Sequence, residues 1–217
     1  MHYLRNVMRK NPGDLILIFN GRDGEWEARI SDLGKKSGSI ITEKQIRPQN
    51  NEPDLWLIFS KVKREATENI VQKATELGIA EILPVFTEFS SVKNANTERM
   101  ELIAIEASEQ CERLTCPKIH EAKPLKDLID SWDKNRGIIF CDESRTAESI
   151  QKALLAKGTQ TKKWAIIIGP EGGFSKQELD SLYELPYVIP VSLGPRILRA
   201  DTAAIAAISI FQATIGD

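Results

Sequence analysis

From Asp54 onward, segments typical of strands and segments typical of helices alternate along the chain. Apolar runs such as "LWLIFS", "EILPVF", "GIIFCD", "WAIIIG" and "YVIPVSL" are separated by longer stretches with helical periodicity, the first of which ends at Gly78. Strands that alternate with helices pair in parallel, because each helix returns the chain to the start of the next strand. The pattern therefore predicts an α/β domain with a mainly parallel sheet over residues 54–217.

The region before this domain has a different pattern. Between Leu15 and Ile46 three β-rich runs, "LILIF", "EWEARI" and "GSIITEKQI", are separated by turn-prone residues. Such spacing favours a small antiparallel β unit. The polar stretch "RPQNNEPD", from Arg47 to Asp54, is the best candidate for a linker, so we expect a first domain over residues 1–50.

Composition excludes some classes of protein and leaves others open. The chain has 217 residues, 41% of them hydrophobic, but no apolar run approaches the ~20 residues needed to span a bilayer. Its three cysteines, Cys111, Cys116 and Cys141, lack metal-ligand spacing, which favours a reduced cytoplasmic protein without a metal. The net charge is −2, so binding to nucleic acid would need local basic patches.

A glycine-rich loop follows the run "WAIII". It reads Gly169-Pro170-Glu171-Gly172-Gly173 and follows a strand, the place where α/β sheets bind ligands. It has neither the Lys-Ser/Thr pair of a Walker loop nor the G-x-G-x-x-G pattern, and its carboxylate would repel phosphate. A neutral base or a cationic group fits better. The alternative is a tight turn whose next helix is capped by a box of Ser175 and Glu178.

A second strand ends at "SLGPRILRADTAA", where Arg196 and Arg199 precede Asp201 and Thr202. Two arginines at the start of a helix are candidates for contact with an anion or with RNA. The alternative is a surface Arg-Asp pair with Thr202 as a helix cap. The helix that follows is apolar nearly all round, so we expect it to be buried.

The segment "ERMELIAIEASEQCERL" has helical spacing with two distinct faces. The apolar face consists of Met100, Ile103, Ala107, Cys111 and Leu114. The polar face consists of Glu106, Glu109, Gln110 and Arg113. A solvated polar face is the favoured interpretation, and a polar row that lines a cleft is the alternative.

Two groups of basic residues are candidates for contact with phosphates. One, at a predicted strand-to-helix junction, consists of Lys61, Lys63 and Arg64. The other, on a predicted N-terminal helix, consists of His2, Arg5 and Arg9. Ordinary solvated charge is the alternative for both groups.

Taken together, "GPEGGFS" and "SLGPRILRADTA" resemble the paired signature of the ribosomal RNA small subunit methyltransferase E family, with support from "HYLRNVMR", "KATELGIAEILPV" and "EASEQCER". The resemblance implies S-adenosylmethionine-dependent methylation of N3 of a uridine in 16S ribosomal RNA, and a homodimer. It also implies a SPOUT-type α/β domain with a C-terminal deep trefoil knot, preceded by a small PUA-like β-barrel. Family members usually carry a further strand before the first motif, which begins here at His2, so an incomplete barrel is one expectation.

The same resemblance assigns roles to individual residues. Those expected to bind the cofactor are Gly169, Pro170, Glu171, Gly172, Gly173, Leu193, Gly194, Ile197, Leu198 and Thr202. Those expected at the methyl-transfer site are Arg196, Arg199 and Glu171, and those expected to contact RNA are Arg5, Arg9, Lys63, Arg64 and Arg113. Glu171, Asp201 and water remain open as the general base. The alternative function is a non-catalytic RNA-binding protein with the same knot.

Overall fold

The computed structural model describes residues 3–34, 37–50, 52–60, 62–90, 96–143, 147–157 and 161–216. The chain forms two compact units, the first from residues 1–51 with 112–115 and the second from the remainder. His2 and Lys61, two candidates for RNA contact, lie outside the described residues.

The first unit contains the small antiparallel sheet that the sequence predicts. Its strands, in the order β1-β2-β3, are β1 (Leu15–Phe19), β2 (Glu25–Leu33) and β3 (Gly38–Arg47). Ile16, Ala28 and Ile30 are buried on one face of this sheet. The Arg47 guanidinium holds the Glu25 carboxylate with bonds of 2.8 and 2.9 Å, which ties the last strand to the second.

The predicted N-terminal helix is wrong in its extent. The structure has a single π-helical turn over Tyr3–Val7, which includes Arg5. Arg9 lies beyond it with a φ of 52°, so the two arginines do not share a helical face. The Arg5 guanidinium donates to the carbonyl of Leu33. The helix does not continue because Arg9 has a left-handed backbone, and further on Pro12 disfavours helical geometry in the preceding residue, Asn11.

The second unit is an α/β domain whose strand pairs, within the described residues, are all parallel, as the alternating pattern predicts. The strand order is β10-β8-β9-β4-β5-β6, and β7 also pairs with β5. The strands are β4 (Asp54–Ser60), β5 (Glu81–Phe86), β6 (Lys118–Ile119), β7 (Lys123–Pro124), β8 (Gly137–Cys141), β9 (Lys163–Ile168) and β10 (Val188–Val191). The sequence pattern missed β6 and β7, which are too short to show a period.

Helices cover both faces of this sheet. They are α1 (Arg64–Glu76), α2 (Thr97–Gln110), α3 (Leu125–Asp130), α4 (Ile150–Lys157), α5 (Lys176–Tyr183) and α6 (Ala200–Ile215). Alternate residues of β9 point to opposite faces of the sheet. Trp164 and Ile166 belong to the core cluster with α1, α2, α4 and α6. Ala165 and Ile167 belong to the cluster with α3 and α5. Both faces are therefore buried, which explains why the strand sequences are continuous apolar runs.

Helix α2 ends earlier than its sequence pattern predicts. Met100, Ile103 and Ala107 are buried as expected, but Cys111 is exposed and follows the last helical residue. Glu112 then adopts a left-handed φ of 57°, which turns the chain out of the helix. Leu114 is buried and Arg113 donates to Thr115, but both belong to the segment 112–115 of the first unit. The predicted polar row of α2 therefore stops at Gln110.

Helix α6 is buried on one face only, although its residues are apolar nearly all round. The buried residues are Ala200, Ala204, Ala207, Ile208 and Phe211. Ile205, Ala206 and Ile210 are half-buried, and Thr202 is exposed. Complete burial is therefore wrong for the single chain, which leaves a partly covered apolar face.

The capping box predicted after β9 is present at the start of α5. The Ser175 hydroxyl accepts from the Glu178 amide at 3.4 Å, and the Ser175 amide donates to the Glu178 carboxylate at 2.8 Å. The same carboxylate accepts from the Glu88 amide at 3.0 Å. The box thus fixes the helix to the glycine-rich loop and to the segment that follows β5.

We expect Ser175→Ala to lower the free energy of unfolding by about 1 kcal/mol, because it removes the side-chain acceptor of an N-cap. Urea denaturation measures the change. Ser181→Ala is the matched control: Ser181 is exposed on the same helix, and among the described residues its hydroxyl bonds to the carbonyl of Gln177 alone. Equal stability of the two variants would contradict a role for the box.

Candidate functional site

Three adjacent strands end at the same edge of the second unit's sheet. Strands β10, β8 and β9 are neighbours and parallel, so the segments that follow them must lie side by side. These segments surround a cleft, which we call the strand-end cleft, of about 640 Å³ including space open to solvent.

The two loops singled out by sequence supply most of its wall. Those of its lining residues that the sequence predicts are Gly169, Pro170, Glu171, Leu193, Gly194, Arg196, Ile197 and Leu198. Gly194 has a φ of 113°, a left-handed conformation that favours glycine. The sequence-predicted loops thus meet around one space.

Three other predicted cofactor residues do not line this cleft: Gly172, Gly173 and Thr202. A Cβ at Gly172 would lie 3.2 Å from the Cβ of Phe89, so that glycine faces Phe89. Gly173 has a φ of 71°, and a Cβ there would lie 3.0 Å from a carboxylate oxygen of Glu143. These two glycines shape the loop around neighbouring side chains.

A third wall of the cleft comes from the end of β8, which sequence analysis did not identify as part of a site. It consists of Cys141, Asp142 and Glu143. Asp142 is buried and accepts a hydrogen bond of 2.6 Å from the Tyr183 hydroxyl. Partial burial, with the neighbouring Asp142 charge, raises the pKa of Glu143. The sequence signal that could have identified this wall is the pair of consecutive carboxylates after an apolar strand.

The chemistry of this cleft favours a ligand that is apolar in one part and cationic in another. Its carboxylates are Asp142, Glu143 and Glu171, against the single arginine Arg196, and no lysine is among its described lining residues. Ile197 is 71% exposed at the cleft, a large apolar side chain without cover in this chain. A polyphosphate would meet several carboxylates here, so the arrangement disfavours a nucleoside triphosphate.

The two candidate arginines lie in different clefts. Arg196 lines the strand-end cleft, whereas Arg199 lines a second space, which we call the polar cleft, between α1, α2 and the start of α6. Glu171 lines both. Among the described residues neither arginine pairs with Asp201, which accepts instead from the Asn69 amide at 3.2 Å and the Thr202 backbone at 2.8 Å. The alternative interpretation, a surface pair between one of these arginines and Asp201, is therefore wrong.

The polar row of α2 also reaches the polar cleft. Glu106 and Gln110 both line it, which confirms for these two residues the alternative of a row that lines a cleft. Lys63 and Arg64 lie at the junction of β4 and α1, as predicted, and the Arg64 guanidinium lies 2.9 Å from the Glu68 carboxylate. Contact of these basic residues with RNA remains a prediction.

Within the described ranges, no group of three or more histidine, cysteine, aspartate or glutamate side chains is arranged to hold a metal ion. No helix in those ranges has both the length and the apolar character required to cross a bilayer.

Comparison with known families matches both parts of the chain. Residues 49–212 match a family model described as an RNA methyltransferase domain, and residues 1–43 match an RNA methyltransferase PUA domain. Ribosomal RNA small subunit methyltransferase E of Rickettsia conorii is 34% identical, over 96% of this chain and 84% of that protein. The protein of the same name from Buchnera aphidicola (strain APS) is also 34% identical, over all of this chain and 86% of that protein.

Two similar solved structures contain a ligand. Ribosomal RNA small subunit methyltransferase E from Neisseria gonorrhoeae, bound to S-adenosyl methionine, is 29% identical with a TM-score of 0.85, over 99% of this chain and 89% of that chain. A putative methyltransferase from Legionella pneumophila, in complex with the bound cofactor SAM, is 31% identical with a TM-score of 0.86, over all of this chain and 89% of that chain.

The cysteine in the strand-end cleft gives a test of its local environment. Burial raises the pKa of Cys141 to about 12, whereas Cys111 and Cys116 are exposed. Because the thiolate is the reactive form, we expect iodoacetamide at pH 8 to alkylate Cys141 at least about 100-fold more slowly than the other two. Peptide mass spectrometry over time measures the rates, and the same reaction in urea is the control. Equal rates in the folded protein would contradict the burial.

Proposed function

The chain belongs to the ribosomal RNA small subunit methyltransferase E family, and on that premise we propose that it transfers a methyl group from S-adenosylmethionine to N3 of a uridine in 16S ribosomal RNA. The observation that carries the proposal is the strand-end cleft, which combines apolar walls with carboxylates. The cofactor is S-adenosylmethionine, which supplies an electrophilic methyl group on a positively charged sulfur. Ribosomal RNA is cytoplasmic in bacteria, and we place the enzyme there.

The residues of the cleft fit this cofactor. Leu193, Ile197 and Leu198 offer apolar contact to an adenine ring, and the backbone around Gly169 and Gly194 can approach it closely. The carboxylates of Glu143 and Glu171 favour the cationic portion of the ligand. Burial raises the pKa of Glu143, and a cation beside it would offset that desolvation by stabilising its charged form.

The chemical problem is that N3 of uracil carries a proton at neutral pH. Methylation forms a bond from N3 to the methyl carbon, breaks the bond from that carbon to sulfur, and releases the N3 proton to a base. Negative charge develops on the two uracil carbonyl oxygens as the proton leaves. Arg196, exposed at the cleft, is suited to stabilise this charge. Holding the reactants in line also lowers the barrier.

Among the candidate bases, Glu171 has the best position. Glu171 lines both the strand-end cleft and the polar cleft. It therefore lies where a cofactor bound in the first cleft would meet a uracil bound in the second. Asp201 already accepts hydrogen bonds from the Asn69 side chain and from Thr202, so its carboxylate is engaged within the protein. We propose Glu171 as the proton acceptor, directly or through a water.

The partly covered face of α6 supports a homodimer. Its half-buried apolar side chains are Ile205, Ala206 and Ile210, and we expect an interface above about 1,200 Å².

We further propose that the C-terminal part of the α/β unit forms the deep trefoil knot of SPOUT enzymes. The N-terminal sheet, as part of a PUA-like barrel, would bind RNA through Arg5 and Arg9, with Lys63, Arg64 and Arg113 as further contacts.

The exposed isoleucine tests the cofactor assignment. We expect Ile197→Ala to leave the free energy of unfolding nearly unchanged, because the side chain is 71% exposed. Affinity for S-adenosylmethionine should fall about tenfold, because the variant loses apolar contact worth about 1.5 kcal/mol. Isothermal calorimetry measures this. Leu155→Ala, equally apolar and 68% exposed on α4, is the matched control and should bind as wild type. Unchanged affinity of Ile197→Ala would remove Ile197 from the site.

The arginine at the cleft tests the chemistry. We expect Arg196→Ala to keep cofactor affinity within a few-fold while single-turnover methylation of 16S ribosomal RNA falls by two or more orders of magnitude. That loss corresponds to about 2.7–4 kcal/mol for one charge-stabilising donor. Arg196→Lys should retain part of the rate, because it keeps the charge but loses the planar donor pair.

The assay itself tests the proposed reaction. Nucleoside mass spectrometry of the product should detect 3-methyluridine with the wild-type chain. If Arg196→Ala methylates at the wild-type rate, Arg196 has only a structural role. If the wild type binds the cofactor yet transfers no methyl group to this RNA, either free or in the assembled small subunit, the proposed reaction is wrong and the non-catalytic alternative gains support.

A further inference from the structure

The polar cleft is larger than the strand-end cleft and has a different chemistry. It comprises about 1870 Å³, much of it open to solvent, between α1, α2 and the start of α6. Its floor is apolar, with Ile103 and Ala107 both buried. Because Glu171 lines both clefts, a group bound in one lies next to a group bound in the other. The polar cleft is therefore positioned to hold the substrate that receives the methyl group.

Side-chain amides line this cleft above its apolar floor. They belong to Asn69, Gln72 and Gln110, and the carboxylate of Glu106 lies on the same helix face as Gln110. In the part of the chain that the structure describes, the side chains of Gln72, Glu106 and Gln110 form no hydrogen bond within the protein. The Asn69 amide nitrogen donates to Asp201 at 3.2 Å, and its side-chain carbonyl oxygen can still accept from a ligand. Amides both donate and accept, which matches the acceptor-donor-acceptor edge of uracil.

The charges of the cleft favour a neutral base over a phosphate in its interior. The Glu68 carboxylate lies between the guanidinium groups of Arg64, at 2.9 Å, and Arg99, at 3.3 Å, and bonds from Arg99 and then Arg64 lower the pKa of Glu68. Of these two arginines only Arg99 lines the cleft, and the Glu68 carboxylate offsets its charge there. The free carboxylates of Glu106 and Glu171 would repel a phosphate group, but not a neutral pyrimidine.

Cationic groups at the rim can take the phosphates of the same nucleotide. Lys63 and Arg199 line the cleft and are exposed, and across the described ranges neither has an ion-pair partner. Contacts from such residues to phosphates position a nucleic acid, while the base edge is read by polar side chains. The arrangement is thus apolar below, amide-lined at the side and cationic at the rim.

We propose that the polar cleft binds the target uracil of the RNA, turned out of any stack, with Gln110 and Asn69 contacting the base edge and Lys63 and Arg199 contacting the flanking phosphates. This inference rests on the proposed function and adds to it a binding site for the nucleotide. A base paired at N3 cannot react, so an enzyme of this kind needs a pocket for an unpaired or flipped base. The competing occupant of such an open cleft is a second copy of this chain.

The test uses the full chain with unmethylated 16S ribosomal RNA, both free and assembled into small ribosomal subunits. For Gln110→Ala and for Asn69→Ala we expect kcat/KM for the RNA to fall about 5- to 150-fold, the range for losing one good base-edge contact. Affinity for S-adenosylmethionine should stay within about twofold, since neither side chain lines the strand-end cleft. Gln110→Glu keeps the size but loses the donor, so it should not restore the rate.

Gln151→Ala is the matched control, because Gln151 is exposed on α4 and lines none of the described clefts. Wild-type kcat/KM in both Gln110→Ala and Asn69→Ala would overturn the proposal. Loss of methylation together with a halved mass in light scattering would also overturn it, because a second chain would then occupy the cleft. Failure of the wild type to methylate this RNA while still binding the cofactor would instead reject the proposed reaction itself.

Discussion

Parallel pairing of β10, β8 and β9 side by side is the constraint on which the site depends. Parallel strands all end at the same edge, so the three segments that follow them must converge whatever their sequences. The buried, continuous apolar runs of these strands hold that edge in place from both faces. The segments themselves are then free to carry glycines, carboxylates and an arginine that a sheet interior would not tolerate. A rigid core thus supports a chemically specialised edge.

The distribution of charge at this edge separates two tasks. The strand-end cleft holds three carboxylates and one arginine, which suits a cationic cofactor with an apolar ring. The polar cleft beside it has amides over an apolar floor and cations at its rim, which suits a nucleotide. Glu171 lies at the border of both, and Arg196 and Arg199, three residues apart in sequence, lie on different sides of it. A short loop can therefore serve cofactor and substrate at once.

Sequence alone predicted the parts of the fold that follow from period and turn chemistry. The parallel α/β arrangement, the N-terminal antiparallel sheet and the capping box of Ser175 and Glu178 are all present. It could not predict that α2 ends at Gln110, because the apolar spacing continues through Cys111 and only the backbone at Glu112 breaks it. It also missed Cys141, Asp142 and Glu143, whose role in the cleft depends on strand order, which a periodic pattern does not contain. Sequence motifs found two walls of the site, and topology supplied the third.

The most direct test of this account is a calorimetric titration of the wild-type chain with S-adenosylmethionine and, separately, with ATP under the same conditions. Both ligands carry an adenine and a ribose, but one is cationic at the sulfur and the other carries phosphates. The account predicts saturable binding of S-adenosylmethionine, one per chain, and little or no binding of ATP, since the carboxylates of the strand-end cleft repel its phosphates. Equal or tighter binding of ATP would contradict the assignment of that cleft and the chemistry built on it.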